Sequence, residues 1–273
     1  MDNAITIDVE EWFHVCKVDV EPVIPVSGRR VRQNIERILT LLAAFEVKAT
    51  FFVLGSVAEE EPALVPMIAA AGHEIASHGY SHRLVGQLGP GRFRDEIRRT
   101  GSILERQAGY RPVGFRAPQW SLSRAMPWAF DILKEEGYLY DSSLNPLLFV
   151  GDPHGPRAPF KVETGGGSIF EIPPMVTSLP FINIPSGGGW GFRLFPPAVV
   201  SWTMRRLNKA GNPAVLYLHP REMDACGPRL KLSPLESFAV YGPRSDAAGR
   251  LNHLLQRFSF VTLRQLVESW ESA

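Results

Sequence analysis

The sequence predicts an α/β fold in which a parallel sheet is wrapped by helices. Two observations predict it. Short apolar runs of the kind found in buried strands alternate with stretches of helical period, and the alternation extends over almost all of the 273 residues. In addition, several of the apolar runs end in polar, catalytically useful residues, the arrangement expected where the loops of a parallel α/β barrel converge on one mouth.

Taken in order, Ala4 to Val9 reads as the first strand. Arg32 to Phe45 reads as a helix, because Ile35, Ile38, Leu39 and Leu42 form one apolar stripe with the charges lying off it. Lys48 to Leu54 is β-branched and aromatic enough for a second strand, ended by Gly55. A helix is expected from about Glu60 to Ala71, closed by Gly72, and His73 to Ser77 is a short third strand. Phe93, Ile97, Thr100 and Leu104 mark another helical face. Then come a strand from Pro112 to Ala117, a helix from Pro127 to Glu136 ended by Gly137, and a strand from Tyr138 to Ser142. Ala214 to Leu218 is a late strand, and Thr262 to Gln265 is a capping box opening a final helix through Trp270. Between them, from about 145 to 197, glycines and prolines accumulate without a helical stripe, so this stretch is expected to be an irregular, partly β insertion. No repeat, linker or low-complexity tail divides the chain, and one domain over 1–273 is the economical reading.

Composition excludes several functions. With 29 Lys+Arg against 28 Asp+Glu, no field of one sign is available to recruit nucleic acid or an anionic membrane. Two cysteines, Cys16 and Cys226, are too few for a disulfide framework and fit a reducing compartment. No signal-like N-terminus and no apolar run long enough to span a bilayer is present, so the expected location is the cytoplasm.

The most informative motif is Ser77-His78-Gly79-Tyr80-Ser81-His82, just past the third strand. Two imidazoles four positions apart face the same way if the backbone turns helical, and neutral imidazole is the commonest protein metal ligand. The other strand ends carry Asp8-Val9-Glu10-Glu11, Arg116-Ala117-Pro118, Asp141-Ser142-Ser143 and His219-Pro220. Singly, each has a structural explanation as a turn, a cap or a buried pair; together they point to a catalytic mouth.

In order and type, Thr6-Ile7-Asp8, His78 to His82, Arg116-Ala117-Pro118, Tyr140-Asp141-Ser142 and Leu218-His219-Pro220 resemble the five motifs of the polysaccharide deacetylases of carbohydrate esterase family four, the NodB-homology domain. The motifs span residues 4 to 222, leaving a C-terminal extension from about 223 to 273. More narrowly, Asp8 to Phe13, Gly187 to Arg193 and Leu218 to Glu222 resemble the subgroup associated with exopolysaccharide and exosortase loci. The resemblance implies a distorted (β/α)7 barrel, related to the TIM barrel, and one divalent metal ion, usually zinc. It also implies hydrolysis of N-acetyl groups on an amino-sugar oligo- or polysaccharide. It makes Asp8 the general base and His219 the general acid, with Arg116 orienting Asp8 and Asp141 holding the His219 tautomer.

The chain departs from the family at Val9, which stands where a second aspartate is expected to bind the metal. Glu10 points to the same side of an extended segment as Asp8 and has the longer arm, so the expected ligands are Glu10, His78 and His82, with Glu11 the weaker substitute. Tyr80, Pro118, Trp120, Trp190 and Phe192 are expected around a sugar cleft, although Trp120 equally suits core packing. His14, His73, His154 and His253 lack comparable company and are left outside the site. Two other readings stay open: a cyclic-imide or allantoin-type amidase on a related barrel, and a sugar-binding pseudoenzyme suggested by the altered first motif.

Overall fold

A run of consecutive apolar residues is stable as a strand only where both faces are covered. The computed structural model, which describes residues 1–15, 26–148, 150–152, 154–242 and 247–272, meets that condition with a curled sheet wrapped by helices. Cys16 lies outside the described residues, and Cys226 is an exposed free thiol.

The chain begins with β1 (Asn3–Val9), α1 (Val31–Ala43), β2 (Thr50–Val53), α2 (Gly55–Glu60), α3 (Leu64–Ala70) and β3 (Glu74–Ser77). It continues through α4 (Val85–Ala108), β4 (Gly114–Phe115), α5 (Pro127–Glu135), β5 (Tyr140–Asp141) and a hairpin, β6 (Phe160–Thr164) with β7 (Gly167–Glu171). The small pair β8 (Thr177–Ser178) and β9 (Asn183–Ile184) precedes α6 (Gly189–Leu194), α7 (Pro197–Lys209) and β10 (Val215–Leu218). Last come α8 (Pro234–Tyr241), α9 (Ala247–Leu255), β11 (Phe260–Val261) and α10 (Leu263–Glu271). The sheet order is β10-β1-β2-β3-β4-β5-β7-β6, with β11 pairing the start of β1. Within this sheet each strand pairing is parallel except β6 with β7, and the separate β8–β9 pair is antiparallel. This is the helix-wrapped sheet that the alternation predicts, curled into the distorted barrel that the resemblance implies.

The helical stripes bury much as expected: Ile35, Ile38 and Leu42 of α1 and Phe93, Ile97, Thr100 and Leu104 of α4 are buried, while Leu39 is only partly so and Val31, one residue before the expected start, joins the core. The helix expected over 60–71 is α3, which begins only at Leu64, and an unexpected short helix, α2, precedes it; Pro62, which cannot donate within a helix and disfavours helical backbone before it, separates the two. Gly72 and Gly137 adopt positive φ (79° and 85°) after their helices. Thr262 caps α10, accepting from the Gln265 N–H. The stretch 145–197 is more ordered than its glycines suggest. Gly165 and Gly166 turn the β6–β7 hairpin, and β7 then joins β5 in the main sheet, extending the barrel.

Between β7 and β10 the barrel is closed by irregular chain. Met175 N–H donates to the Val215 carbonyl (2.8 Å), Gly187 N–H to Met175 (3.1 Å) and Tyr217 N–H to Gly187 (2.9 Å). Gly188 lies against β10 so closely that a Cβ there would stand 2.3 Å from the Tyr217 carbonyl oxygen. At the amino-terminal end of the barrel, Glu74 accepts from Thr50 Oγ1 and Tyr140 OH (both 2.7 Å) and from the Arg264 N–H (3.1 Å). At the other end, Asp141 and Glu171 are register partners on adjacent strands and are fully buried. Burial raises both carboxyls, and the neighbouring Asp141 charge drives Glu171 well above the usual range.

Two measurements check these contacts. Gly188→Ala should lower stability in urea by about 1–3 kcal/mol, whereas Gly91→Ala, in α4 with open space around it, should raise it by about 0.5–1 kcal/mol. Equal effects would show that Gly188 is not tightly apposed. For Glu171 the folded chain holds its proton more tightly than the unfolded chain does, so that contribution is complete below the ordinary value of 4.5 and is lost as pH rises through the raised one. Glu171→Gln should therefore lose less stability than wild type between about pH 5 and pH 8, and parallel pH curves would contradict the shift.

Candidate metal centre and catalytic cleft

The carboxyl ends of β1, β3, β4 and β10 meet at one narrow cleft, lined by Asp8, Glu10, His14, His78, His82, Ala117, Gln119, Trp120, His219 and Arg221. Strand register produces the meeting. Ile7 stands opposite Leu218, so the next residues out, Asp8 and His219, emerge side by side, with Asp8 Oδ2 3.9 Å from His219 Nε2.

Side-chain alternation then decides the first motif. Val9 is fully buried in the layer between sheet and helices, and Glu10 turns back to the cleft beside Asp8. Glu10 Oε2 is 2.9 Å from His82 Nε2 and 3.8 Å from His78 Nε2, and the three donor atoms lie within 4.8 Å of one another. Its other oxygen accepts from Arg221 at 2.5 Å. Glu11 faces the other way and accepts from the Arg30 and Val31 N–H groups at the start of α1, which makes it a helix cap.

The two histidines converge without a helix. Gly79 has φ 75° and His82 φ 57°, so the backbone reverses and brings their rings to 6.0 Å. Glu96 of α4 fastens this loop, accepting from the N–H groups of Tyr80 (3.1 Å) and Ser81 (3.2 Å) and from the Ser81 hydroxyl. The Arg116 carbonyl stands 2.8 Å from His78 Nδ1; a carbonyl can only accept, so Nδ1 carries the proton and Nε2 is left for the cleft. Burial would raise the Glu10 carboxyl, but the His82 charge and contacts with both histidines and Arg221 hold it well below the usual range. Burial also lowers His82, against the pull of Glu10, and at His78 the carboxylates of Glu10 and Asp8 outweigh burial and raise it. An anionic carboxylate and two imidazole nitrogens, each oriented from behind, suit a divalent cation with N and O preferences.

Arg116 is fully buried inside the barrel. It donates to Asp8 Oδ1 and Thr6 Oγ1 (both 2.7 Å) and to the Ser142 carbonyl (3.0 Å) and hydroxyl (2.8 Å). Three of the four non-glycine residues with positive φ among the described residues, His82, Gln119 and Trp120, line the cleft. Each costs about 1–3 kcal/mol, the kind of strain that collects at working sites.

Several expectations need correction. Asp141 does not reach His219: its Oδ1 accepts from Ser143 Oγ (2.5 Å), and that hydroxyl accepts from the Ala117 N–H (2.7 Å), so Asp141 fixes the loop after Arg116. The carboxylate facing His219 is Glu222, with Oε2 3.6 Å from Nδ1. Tyr80 points outward, donating to Glu59 (2.7 Å) beneath the Arg99 guanidinium. Phe192 is in the core, and Trp190 packs against Phe195 and Phe238. Pro118 is buried against Gly79 beneath the histidine loop, so of the aromatics only Trp120, over Arg116, lines the cleft. His14, left aside in the sequence, stacks on His82 at 5.2 Å. Its signal was position, four residues after Glu10, and that of Arg221 and Glu222 was adjacency to Leu218-His219-Pro220.

Known proteins share parts of this chain. Residues 19–139 match the polysaccharide deacetylase family and residues 142–268 match a domain of unknown function, DUF3473. A peptidoglycan-N-acetylglucosamine deacetylase of Bacillus cereus is 35% identical over 124 residues, 41% of this chain and 45% of that protein. The chain thus spans less than half the length of the curated relatives it matches. Among solved structures, a Mycobacterium smegmatis protein assigned to the polysaccharide deacetylases is 26% identical with a TM-score of 0.59, covering 88% of this chain and 77% of that one. Puue allantoinase, 19% identical, shares the fold with a TM-score of 0.67 over 100% of this chain and 90% of its own. Asp8 and Glu10 precede the first match and His219 falls within the second. Two family models thus divide most of the chain between them: residues 19–139 resemble the polysaccharide deacetylase family and residues 142–268 a domain of unknown function.

Proposed function

We propose that this protein is a metal-dependent N-deacetylase acting on an amino-sugar oligo- or polysaccharide in exopolysaccharide biosynthesis, with Zn²⁺ as its metal. The observation that carries the reading is the convergence of Glu10, His78 and His82 beside Asp8 and His219 in one cleft. The same reading makes 1–273 one working unit, since residues from both matched segments and from before them line that cleft. Among the described residues no helix is long and apolar enough to cross a membrane.

Glu10, His78 and His82 would hold the ion, which when bound polarises the acetyl carbonyl and makes water more acidic. Asp8, whose Oδ1 is held by Arg116, takes the proton of the attacking water at Oδ2. The water oxygen bonds to the acetyl carbon. As the carbon–nitrogen bond breaks, His219 delivers a proton from Nε2 to the departing nitrogen, which leaves as an amine rather than an amide anion, and acetate is the other product. Trp120 offers a ring for a sugar face at the rim. The pairing of Asp8-Val9-Glu10 with Leu218-His219-Pro220-Arg221-Glu222 supports the exopolysaccharide-associated subgroup, since Arg221 reaches back to Glu10.

Acetate release from chito-oligosaccharides, set beside ring opening of small cyclic imides, tests the reaction class. Asp8→Asn should cut acetate release by about 100- to 10,000-fold while metal content and ligand binding persist; undiminished turnover would remove Asp8 as the base. After zinc loading and dialysis, elemental analysis should find the metal lost in His78→Ala and in His82→Ala and retained in Glu11→Ala. Unaltered stoichiometry in the histidine variants would reject the centre.

A further inference from the structure

We propose that Glu222, backed by Arg193, is the positioning residue that fixes the tautomer and direction of His219, the place the family resemblance gives to Asp141. The proposal rests on the deacetylase reading above for the use made of His219, and on the geometry for the pairing. His219 ends β10 and begins a tight turn over Pro220–Met223, which carries Glu222 back over it. One carboxylate oxygen of Glu222, Oε2, accepts the His219 backbone N–H at 2.9 Å and stands 3.6 Å from the ring Nδ1. The opposite ring nitrogen, Nε2, faces Asp8 Oδ2 at 3.9 Å and Glu10 Oε1 at 3.8 Å. Nδ1 makes no hydrogen bond within 3.5 Å among the described residues, and Glu222 Oε2 is the carboxylate oxygen facing it. Contacts of this type commonly tighten only when substrate is bound.

Behind Glu222 the arrangement is fixed rather than adaptable. Arg193 Nε is 3.0 Å from Glu222 Oε1, and the same guanidinium donates to the carbonyls of Gly189 (3.3 Å), Val240 (3.2 Å) and Tyr241. Both residues are buried. Burial alone would raise the Glu222 carboxyl, but His219 and Arg193 outweigh it and hold it down to about 2. Asp141 is occupied elsewhere, with Ser143 and with Glu171, its partner in register.

The chemical consequence is directional. A carboxylate at Nδ1 keeps a proton on that nitrogen, so Nε2 is the one that exchanges a proton with the cleft. When His219 gives the Nε2 proton to the departing amine nitrogen, the ring is left neutral with its proton already on Nδ1, and no tautomer change is needed before the next cycle.

The test uses the full chain, labelled with ¹⁵N-histidine and loaded with zinc, and reads the His219 ring by long-range ¹H–¹⁵N correlation, with His219→Asn to assign its signals. Neutral His219 should carry its proton on Nδ1 in wild type and lose that preference in Glu222→Gln, while Asp141→Asn leaves the His219 signals unchanged. In parallel, Glu222→Gln should lower kcat for acetate release from chito-oligosaccharide by about 10- to 100-fold with KM within about threefold. A wild-type proton on Nε2, an unmoved spectrum in Glu222→Gln, or a shift in Asp141→Asn instead would overturn the proposal. If Glu222→Gln fails to fold, the wild-type spectrum still decides. Absence of acetate release by wild type over an amino-sugar panel would sink the deacetylase reading, with the spectrum still deciding the pairing.

Discussion

One buried guanidinium holds the working end of this barrel together. Arg116 reaches from the end of β4 to β1 through Thr6 and Asp8 and to Ser142 just beyond β5, and its faces lie against Phe52 and Trp120 at 4.2 and 4.9 Å. Its own carbonyl sets the ring of His78. A buried ion pair of this kind costs about 3–5 kcal/mol to break, because the partner left behind is an unpaired charge. The same residue therefore ties Asp8, His78 and Trp120 to a single rigid position, so the cleft cannot adjust one of them without the others.

The altered first motif is resolved by the same geometry. A strand alternates its faces, so a carboxylate directly after Asp8 would have pointed into the helix layer had the strand continued regularly; Val9 takes that place and is fully buried there. Glu10, one position further on, returns to the cleft. Its extra methylene makes up the reach, and Arg221 and the two histidines divide its oxygens between them. The chain thus lacks a carboxylate at position 9 and presents one to the cleft from the next residue.

Much of this was legible in the sequence. Helical stripes such as Ile35, Ile38 and Leu42, and strand ends such as Asp8, His78 and His219, report on local periodicity, which a single segment carries by itself. The convergence of Glu10, His78 and His82 followed from placing those ends on one sheet. What was missed depends on facing rather than on period. Trp190 and Phe192 lie in a glycine-rich stretch whose short helix α6 turns them toward α8 and the core, and no pattern in six residues fixes that direction. Asp141 was misread because a strand-end carboxylate looks the same whether it faces a catalytic imidazole or a neighbouring glutamate 30 positions on. The β6–β7 hairpin was hidden because its turn is made of the same glycines that elsewhere mark irregular chain.

The pairing of β1 with β10 also has a bearing on biosynthesis. Thr6 donates to the carbonyl of Leu216, 210 positions along the chain, and β11 comes later still to pair the first residues of β1, Asn3 and Ala4. On a ribosome β2 can cover one edge of the first strand soon after it emerges, but the edge that β10 covers must wait unpaired while the middle of the barrel assembles. Asp8 and Glu10 can then meet His219 and Arg221 only after residue 221 has emerged, which ties the risk of aggregation to the speed of elongation.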